Sequence, residues 1–310
     1  MNAFSKTWFV IINPTSGNGS CKKKWPKIKQ LLELYGFDFE YAFTAYSKHS
    51  VDLVQTAIKN HYKNIISIGG DGTLHNIVNG IFSQNLIPTA QINVGVIPIG
   101  TGNDWVKTHA IPNAIECAIK IIKNGYVKQQ DVGKIAFLNA NKLPVFFNNF
   151  AGVGFDGHVV SRVENYKLFG ALAYLFGALT SIFSYKNFNS KIYINSEELS
   201  GNTFMVSIGV CLFSGGGMRL TSKANPFDGL LDVSIVKPVR FFDIIQHIRN
   251  LFNGRIDNIK KVNCLKTNNI KIEFNDNNSP LIQADGELIG SGNIEINILN
   301  NCFSFYSLKD

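Results

Sequence analysis

A single carboxylate, Asp71, stands between Gly69-Gly70 and Gly72-Thr73, where a short apolar run (Ile65 to Ile68) gives way to a helical pattern carrying Leu74, Ile77, Val78 and Ile81. Glycines let the backbone turn tightly and let a ligand approach its N–H groups. A helix N-terminus adds unpaired donors and a positive dipole end, which suits a phosphate. An acid at that point would compete with a phosphate, so a bound metal ion or a reacting hydroxyl explains it better. The plain alternative is a strand–helix turn with Asp71 as a cap. Two more junctions have the same character. Asn13-Pro14-Thr15-Ser16-Gly17 follows the strand-like Trp8–Ile12, and Pro98-Ile99-Gly100-Thr101-Gly102-Asn103-Asp104 follows Val94–Ile97. In an open parallel sheet, ligands bind beyond the carboxyl ends of the strands, so three such loops can meet at one site. None contains a Walker phosphate loop or a Gly-x-Gly-x-x-Gly fingerprint.

The elements that must position these loops alternate over residues 1 to about 130. Strands are predicted near 8–12, 39–43, 65–68 and 94–97, with helices near 22–35, 49–61, 74–84 and 113–124. That order implies an α/β layer with a right-handed parallel sheet. Beyond it the pattern changes to short strands near 132–138, 145–150, 191–195, 203–210, 231–236, 270–274, 281–284 and 294–298, broken by helical stretches at 158–185 and 240–252. This reads as a mostly antiparallel β domain over 131–298, with 299–310 as a separate C-terminal segment.

Composition narrows the function classes. Thirty basic residues against 22 acidic ones give a formal charge of +8, which suits a nucleotide, a nucleic acid or an anionic lipid surface. No recognition helix or RNA-binding aromatic signature appears, so nucleic acid is not expected as a partner. Five scattered cysteines without a CxxC pair imply neither a disulfide framework nor a zinc site, and a reducing compartment. Met1 to Lys6 lacks the pattern of a signal peptide, so a cytoplasmic location is expected. Residues 168–185 carry no charge and reach the lower length limit of a membrane span. Their small and hydroxyl residues favour a buried or acyl-chain-facing helix over a span.

Taken in order, Asn13-Pro14 with Ser16-Gly17, Gly69-Gly70-Asp71-Gly72-Thr73 and Pro98-x-Gly100-Thr101-x-Asn103-Asp104 resemble the signature of the diacylglycerol kinase catalytic domain. That family includes bacterial soluble lipid kinases, sphingosine kinases and ceramide kinases. Gly152-Val153-Gly154-Phe155-Asp156, Gly215-Gly216-Gly217-Met218, Asp228-Gly229-Leu230-Leu231-Asp232 and Asp285-Gly286-Glu287 extend the resemblance over nearly the whole chain. It implies that the second domain is a β-sandwich and that the C-terminal segment returns to the first domain. It also implies a magnesium- and ATP-dependent lipid kinase. The formal charge of +8 and the apolar helix at 168–185 together suggest peripheral docking at the inner face of an anionic membrane. A homodimer stands as an open alternative to a monomer. Gly-Gly-Asp-Gly-Thr also occurs in NAD kinases, so an NAD kinase-like enzyme is one rival, and a non-catalytic lipid-binding protein on the same fold is another.

Carried onto this chain, the nucleotide site comprises Asn13, Pro14, Thr15, Ser16, Gly17, Thr44, Gly69, Gly70, Asp71, Gly72, Thr73, Leu74, His75, Thr101 and Asn103. Thr44 matches a nucleotide-contacting threonine of the family, or is a turn hydroxyl. Leu74-His75 departs from the Asn-Glu that relatives often carry. Asp71 and Asp104 are the acids for a nucleotide-bound magnesium ion, which keeps several waters and needs few carboxylates; Asp104 could instead cap the helix that follows. The general base lies in Asp285-Gly286-Glu287, with Glu287 preferred and Asp285 next, and an Asp-Gly hairpin turn is the structural alternative. Asn225, Asp228 and Leu230 resemble a structural magnesium loop, in which Phe227 replaces the first of two usual acids.

Overall fold

Strands made of unbroken Val and Ile runs must be covered on both faces, and the sheet and helices of the N-terminal half meet that requirement. The computed structural model describes residues 7–309 except 101, 139, 164–180 and 275–278. The chain divides into two units, Met1–Gln130 with Asn301–Asp310, and Asp131–Asn300.

In the first unit, β1 (Trp8–Ile12), β2 (Phe39–Phe43), β3 (Asn64–Gly69) and β4 (Asn93–Pro98) pair in parallel in the order β2-β1-β3-β4. Ser304 and Phe305 add a further parallel partner along β4, opposite Asn93 and Val94. Five helices join the strands: α1 (Ser20–Leu34), α2 (His49–Lys59), α3 (Asp71–Phe82), α4 (Asp104–Thr108) and α5 (Ile115–Asn124). Val10, Ile12, Ile66 and Ile68 pack with Trp25, Ile28 and Leu32 of α1 and with Ile119 and Ile122 of α5. The alternate positions Ile11 and Ile65 point to the opposite face and are equally buried, as are Val54 of α2 and Ile77 and Ile81 of α3. Helix α3 starts at Asp71, earlier than the apolar pattern beginning at Leu74 suggests, because its first turn is made by the glycine-rich motif itself.

The second unit contains two sheets. The first is antiparallel throughout, in the order β12 (Val262–Thr267), β11 (Leu231–Val236), β10 (Met205–Gly209), β7 (Phe150–Gly154), β14 (Leu281–Ala284), β15 (Glu287–Ser291). In the second, β8 (Phe188–Ile194) pairs with β9 (Glu197–Thr203) and β13 (Asn269–Phe274), and β13 pairs with residues 294–297 of β16 (Ile294–Tyr306). Residues 133–135 of β5 (Val127–Phe137) pair with β6 (Val145–Phe147). Strands β7, β10 and β11 are buried along their whole length. Phe150, Phe204, Met205 and Val236 form a cluster against which Phe155 of α6 (Phe155–Val163) and Ile244 and Leu251 of α7 (Phe241–Asn253) pack.

Most of the apolar stretch 168–185 lies outside the described residues. Among the described residues no helix is long and apolar enough to cross a membrane.

Candidate active site

The three glycine-bearing loops of the first unit meet at the carboxyl ends of β1, β3 and β4. The Asn13 side chain ties the first loop to the second. Its Oδ1 accepts Thr15 N–H (3.1 Å) and Thr15 Oγ1–H (2.8 Å), while its Nδ2 donates to Thr73 Oγ1 (3.1 Å) in the first turn of α3. Thr44, just past β2, donates its N–H to the Ile12 carbonyl (2.8 Å) and so sits beside Asn13. The second and third loops are joined by Ile99 N–H to Gly69 O (2.7 Å). They approach so closely that a Cβ on Gly100 would stand 2.9 Å from Gly70 Cα and collide with Asn103 Oδ1. Only glycine leaves that cradle open. Pro14, Ser16 and Gly17 lie on the first loop, whereas Thr101 lies outside the described residues.

Asp71 is the keystone of this crest. Its carboxylate accepts the backbone N–H of Asp104 (3.0 Å) and of Trp105 (3.4 Å), so the acid of the second loop holds the N-terminus of α4 on the third. A carboxylate at a helix N-terminus is favoured by the orphan donors and the dipole. Asp104 is almost fully buried and pairs with Lys107 Nζ at 2.8 Å. Asn103 precedes α4 with φ of 50° and donates through Nδ2 to Gly100 O (3.2 Å) and Asn113 Oδ1 (3.1 Å). Its Oδ1 is buried without a hydrogen-bond partner among the described residues. Such an orphaned acceptor beside an open cradle fits a polar ligand better than a closed core. Leu74 and His75, by contrast, are buried in helix packing, His75 beside Asn79. Only the first turn of α3 reaches the crest.

In the second unit, Asp285-Gly286 is a two-residue hairpin turn between β14 and β15, with φ of 50° and 83°. Left-handed values at both central residues belong to the turn type that Asp-Gly favours. The Asp285 carboxylate is also an anchor. Its Oδ2 accepts the N–H of Asn148 (3.1 Å), and its Oδ1 accepts those of Asn149 and Phe150 (3.0 Å each), the residues that lead into β7. Glu287 opens β15, is half-buried, and makes no side-chain hydrogen bond or ion pair among the described residues. The structure therefore separates the two acids: one is consumed in holding the turn and the other is left unengaged.

Two groups were not expected at this turn. Gln283 Oε1 accepts the Gly286 N–H (2.7 Å), and its Nε2 donates to the carboxyl of Asp156 in the first turn of α6. Asp156 packs against the backbone at Gly152, where a Cβ could not fit. Burial pushes its carboxyl up to about 6, with the Gln283 bond opposing. The only local signal for this acid is its place in the Gly-Phe-Asp segment. A folded-state pKa above the unfolded value means that Asp156 contributes stability below about pH 4, and that this is lost as pH rises through about 6. Asp156→Asn is accordingly expected to match the parent near pH 4 and to be more stable at pH 7, by about 1–3 kcal/mol. Urea midpoints across pH 4–8 check this; parallel curves for the two proteins would refute it.

In the C-terminal unit, the residues likened to a magnesium loop are placed together. Asn225 O accepts Asp228 N–H (3.4 Å), and Asp228 Oδ1 accepts Leu230 N–H (3.1 Å).

Comparison with known proteins finds similarity over nearly the full length. Residues 7–135 match the model of the diacylglycerol kinase catalytic domain, and residues 149–306 match that of the YegS C-terminal NAD kinase β-sandwich-like domain. The diacylglycerol kinase of Bacillus subtilis (strain 168) is 26% identical over 286 residues, covering 91% of this chain and 89% of that protein. That of Staphylococcus saprophyticus is 27% identical over 297 residues, covering 94% and 91%. A solved structure of a diacylglycerol kinase from Bacillus anthracis str. Sterne superposes with a TM-score of 0.72 at 23% identity, covering 99% of this chain and 98% of that one, and so shares the fold.

Proposed function

The chain belongs to the family of lipid kinases that join a diacylglycerol kinase catalytic domain to a YegS-type β-sandwich domain, and from that premise we propose that it transfers the γ-phosphate of ATP, with magnesium, to a hydroxyl of diacylglycerol or a related lipid. The observation that carries this reading is the meeting of three glycine-bearing loops around Asp71 at the N-termini of α3 and α4.

In this reading the N–H groups of Gly69–Thr73 and the hydroxyls of Thr15, Ser16 and Thr101 hold phosphate oxygens. Asn13 orients Thr15 and Thr73 for that task. A magnesium ion that keeps its waters fits the crest, where Asp71, while holding the N-terminus of α4, and Asp104, while paired with Lys107, would face it through its water shell. When bound, it supplies positive charge against the charge of the transferring phosphoryl group. On the acceptor side Glu287 takes the proton of the lipid hydroxyl as its oxygen bonds to phosphorus and the bond to ADP breaks. Asp285 holds the turn that presents Glu287. The formal charge of +8 and the exposed side chains of Phe242, Ile245 and Phe252 on α7 support peripheral docking at the inner face of an anionic membrane.

The test is phosphate transfer from ATP to a panel of diacylglycerol, monoacylglycerol, sphingosine, ceramide, phosphatidylglycerol and NAD, with the lipids in anionic or neutral vesicles at low and high salt. Magnesium-dependent phosphorylation of a glycerolipid is expected, fastest on anionic vesicles and falling steeply with salt. Turnover of NAD alone would replace the proposal with an NAD kinase-like activity. A folded protein that turns over nothing in the panel would replace it with lipid binding.

A further inference from the structure

The loop from Asn225 to Leu231 resembles one that holds a structural magnesium ion, yet its one carboxylate is already engaged in this chain. Phe227 stands where the usual pattern has the first acid, and its ring brings no oxygen. The acid that remains, Asp228, has both oxygens engaged: Oδ1 by the Leu230 N–H (3.1 Å), and Oδ2 by Lys266 Nζ (2.6 Å). The loop is also clamped from β5. Asp131 donates its N–H to Pro226 O (2.8 Å) and accepts the Gly229 N–H at Oδ2 (2.7 Å).

Lys266 reaches the loop because of sheet register. It lies on β12 directly opposite Asp232 on β11, and cross-strand partners project from the same face. Its Nζ stands 3.2 Å from Asp232 Oδ2, an ion-pair contact without hydrogen-bond geometry, as well as 2.6 Å from Asp228 Oδ2. The Asp232 side chain is only 7% exposed. A carboxylate buried that far, with a second one nearby, is favoured in its charged form by a positive charge beside it.

We propose that the Lys266 ammonium is a built-in replacement for a structural divalent cation: it neutralises Asp228 and Asp232, pins the Asn225–Leu231 loop to β12, and lets the second unit fold without a metal ion at that loop. A magnesium ion there would have to displace the ammonium or sit against it, with like charges repelling at close range.

Thermal melts of the nucleotide-free protein test this with magnesium or with EDTA, for the parent, Asp228→Asn and Lys266→Ser. Parent and Asp228→Asn should respond equally to magnesium. Lys266→Ser should melt lower than the parent by roughly 3–8 °C. It should recover part of that loss in magnesium or manganese, because removing the ammonium frees two carboxylates for a hard cation. A magnesium-dependent rise in the parent that vanishes in Asp228→Asn would overturn the proposal, as would a Lys266→Ser protein that melts like the parent. If Lys266→Ser does not fold, the comparison of parent with Asp228→Asn decides by itself. Every readout is stability, so the outcome is independent of whether the chain phosphorylates a lipid.

Discussion

Glu287→Gln is expected to fold like the parent and to lose about three orders of magnitude in kcat. Glu287 is the carboxylate of the Asp-Gly-Glu turn left without a partner among the described residues. Glutamine keeps its size and removes its basicity, and a general base typically contributes 10²–10⁴-fold. The contrast with Asp285 makes the prediction sharp. Asp285→Ala would leave the N–H groups of Asn148, Asn149 and Phe150 without their acceptor. Each buried unsatisfied group costs about 1–3 kcal/mol, so the loss should be on the order of 3 kcal/mol or more. Steady-state kinetics beside urea unfolding separate the two: activity without stability for Glu287, both together for Asp285. Near-parental turnover in Glu287→Gln would remove it as the base. If Asp285→Ala were as stable as the parent, the anchoring role would be lost instead.

Asp71→Asn should lower kcat by about two orders of magnitude or more, because it removes the charge at the crest where the metal and the phosphoryl group are proposed to sit. The amide oxygen can still accept from the N-terminus of α4, so the fold should survive. Asp71→Ala removes that acceptor as well, and frees the N–H groups of Asp104 and Trp105. It should therefore cost about 1 kcal/mol of stability in addition, as for other helix caps. Magnesium titrations of both variants beside melting curves check this. A folded Asp71→Asn enzyme with unchanged kcat would place the metal elsewhere.

The first unit was legible because its signals are local. Buried parallel strands show as Val and Ile runs in β1, β3 and β4, and the crest is written in consecutive glycines and acids. Strands β7, β9, β12 and β15 were not anticipated, and three of them failed for identifiable reasons. β9 (Glu197–Thr203) is polar and largely exposed, so it shows no apolar alternation. β7 (Phe150–Gly154) and β15 (Glu287–Ser291) carry glycines that ordinarily mark turns, and in β7 the space at Gly152 is taken by Asp156. The separate duties of Asp285 and Glu287 could not be read, because the N–H groups that engage Asp285 lie more than a hundred residues earlier in the chain. Lys266 left no trace for the same reason: only the register of β11 with β12 delivers it to its aspartates.

The first unit is assembled from both ends of the sequence, with the whole second unit encoded between its parts. Its late segment is core: Phe303 and Phe305 are fully buried and lie with ring centroids 6.2 and 5.0 Å from Trp105 of α4. On the ribosome, the contiguous second unit can fold while the first still lacks the strand beside β4. Helix α4, whose N-terminus Asp71 caps, then waits for its aromatic support until residues 303–305 emerge. Order of synthesis thus makes the loop crest around Asp71 mature after the contiguous second unit, and a nascent chain stalled before residue 303 would carry every glycine motif of that crest without the aromatic support of α4.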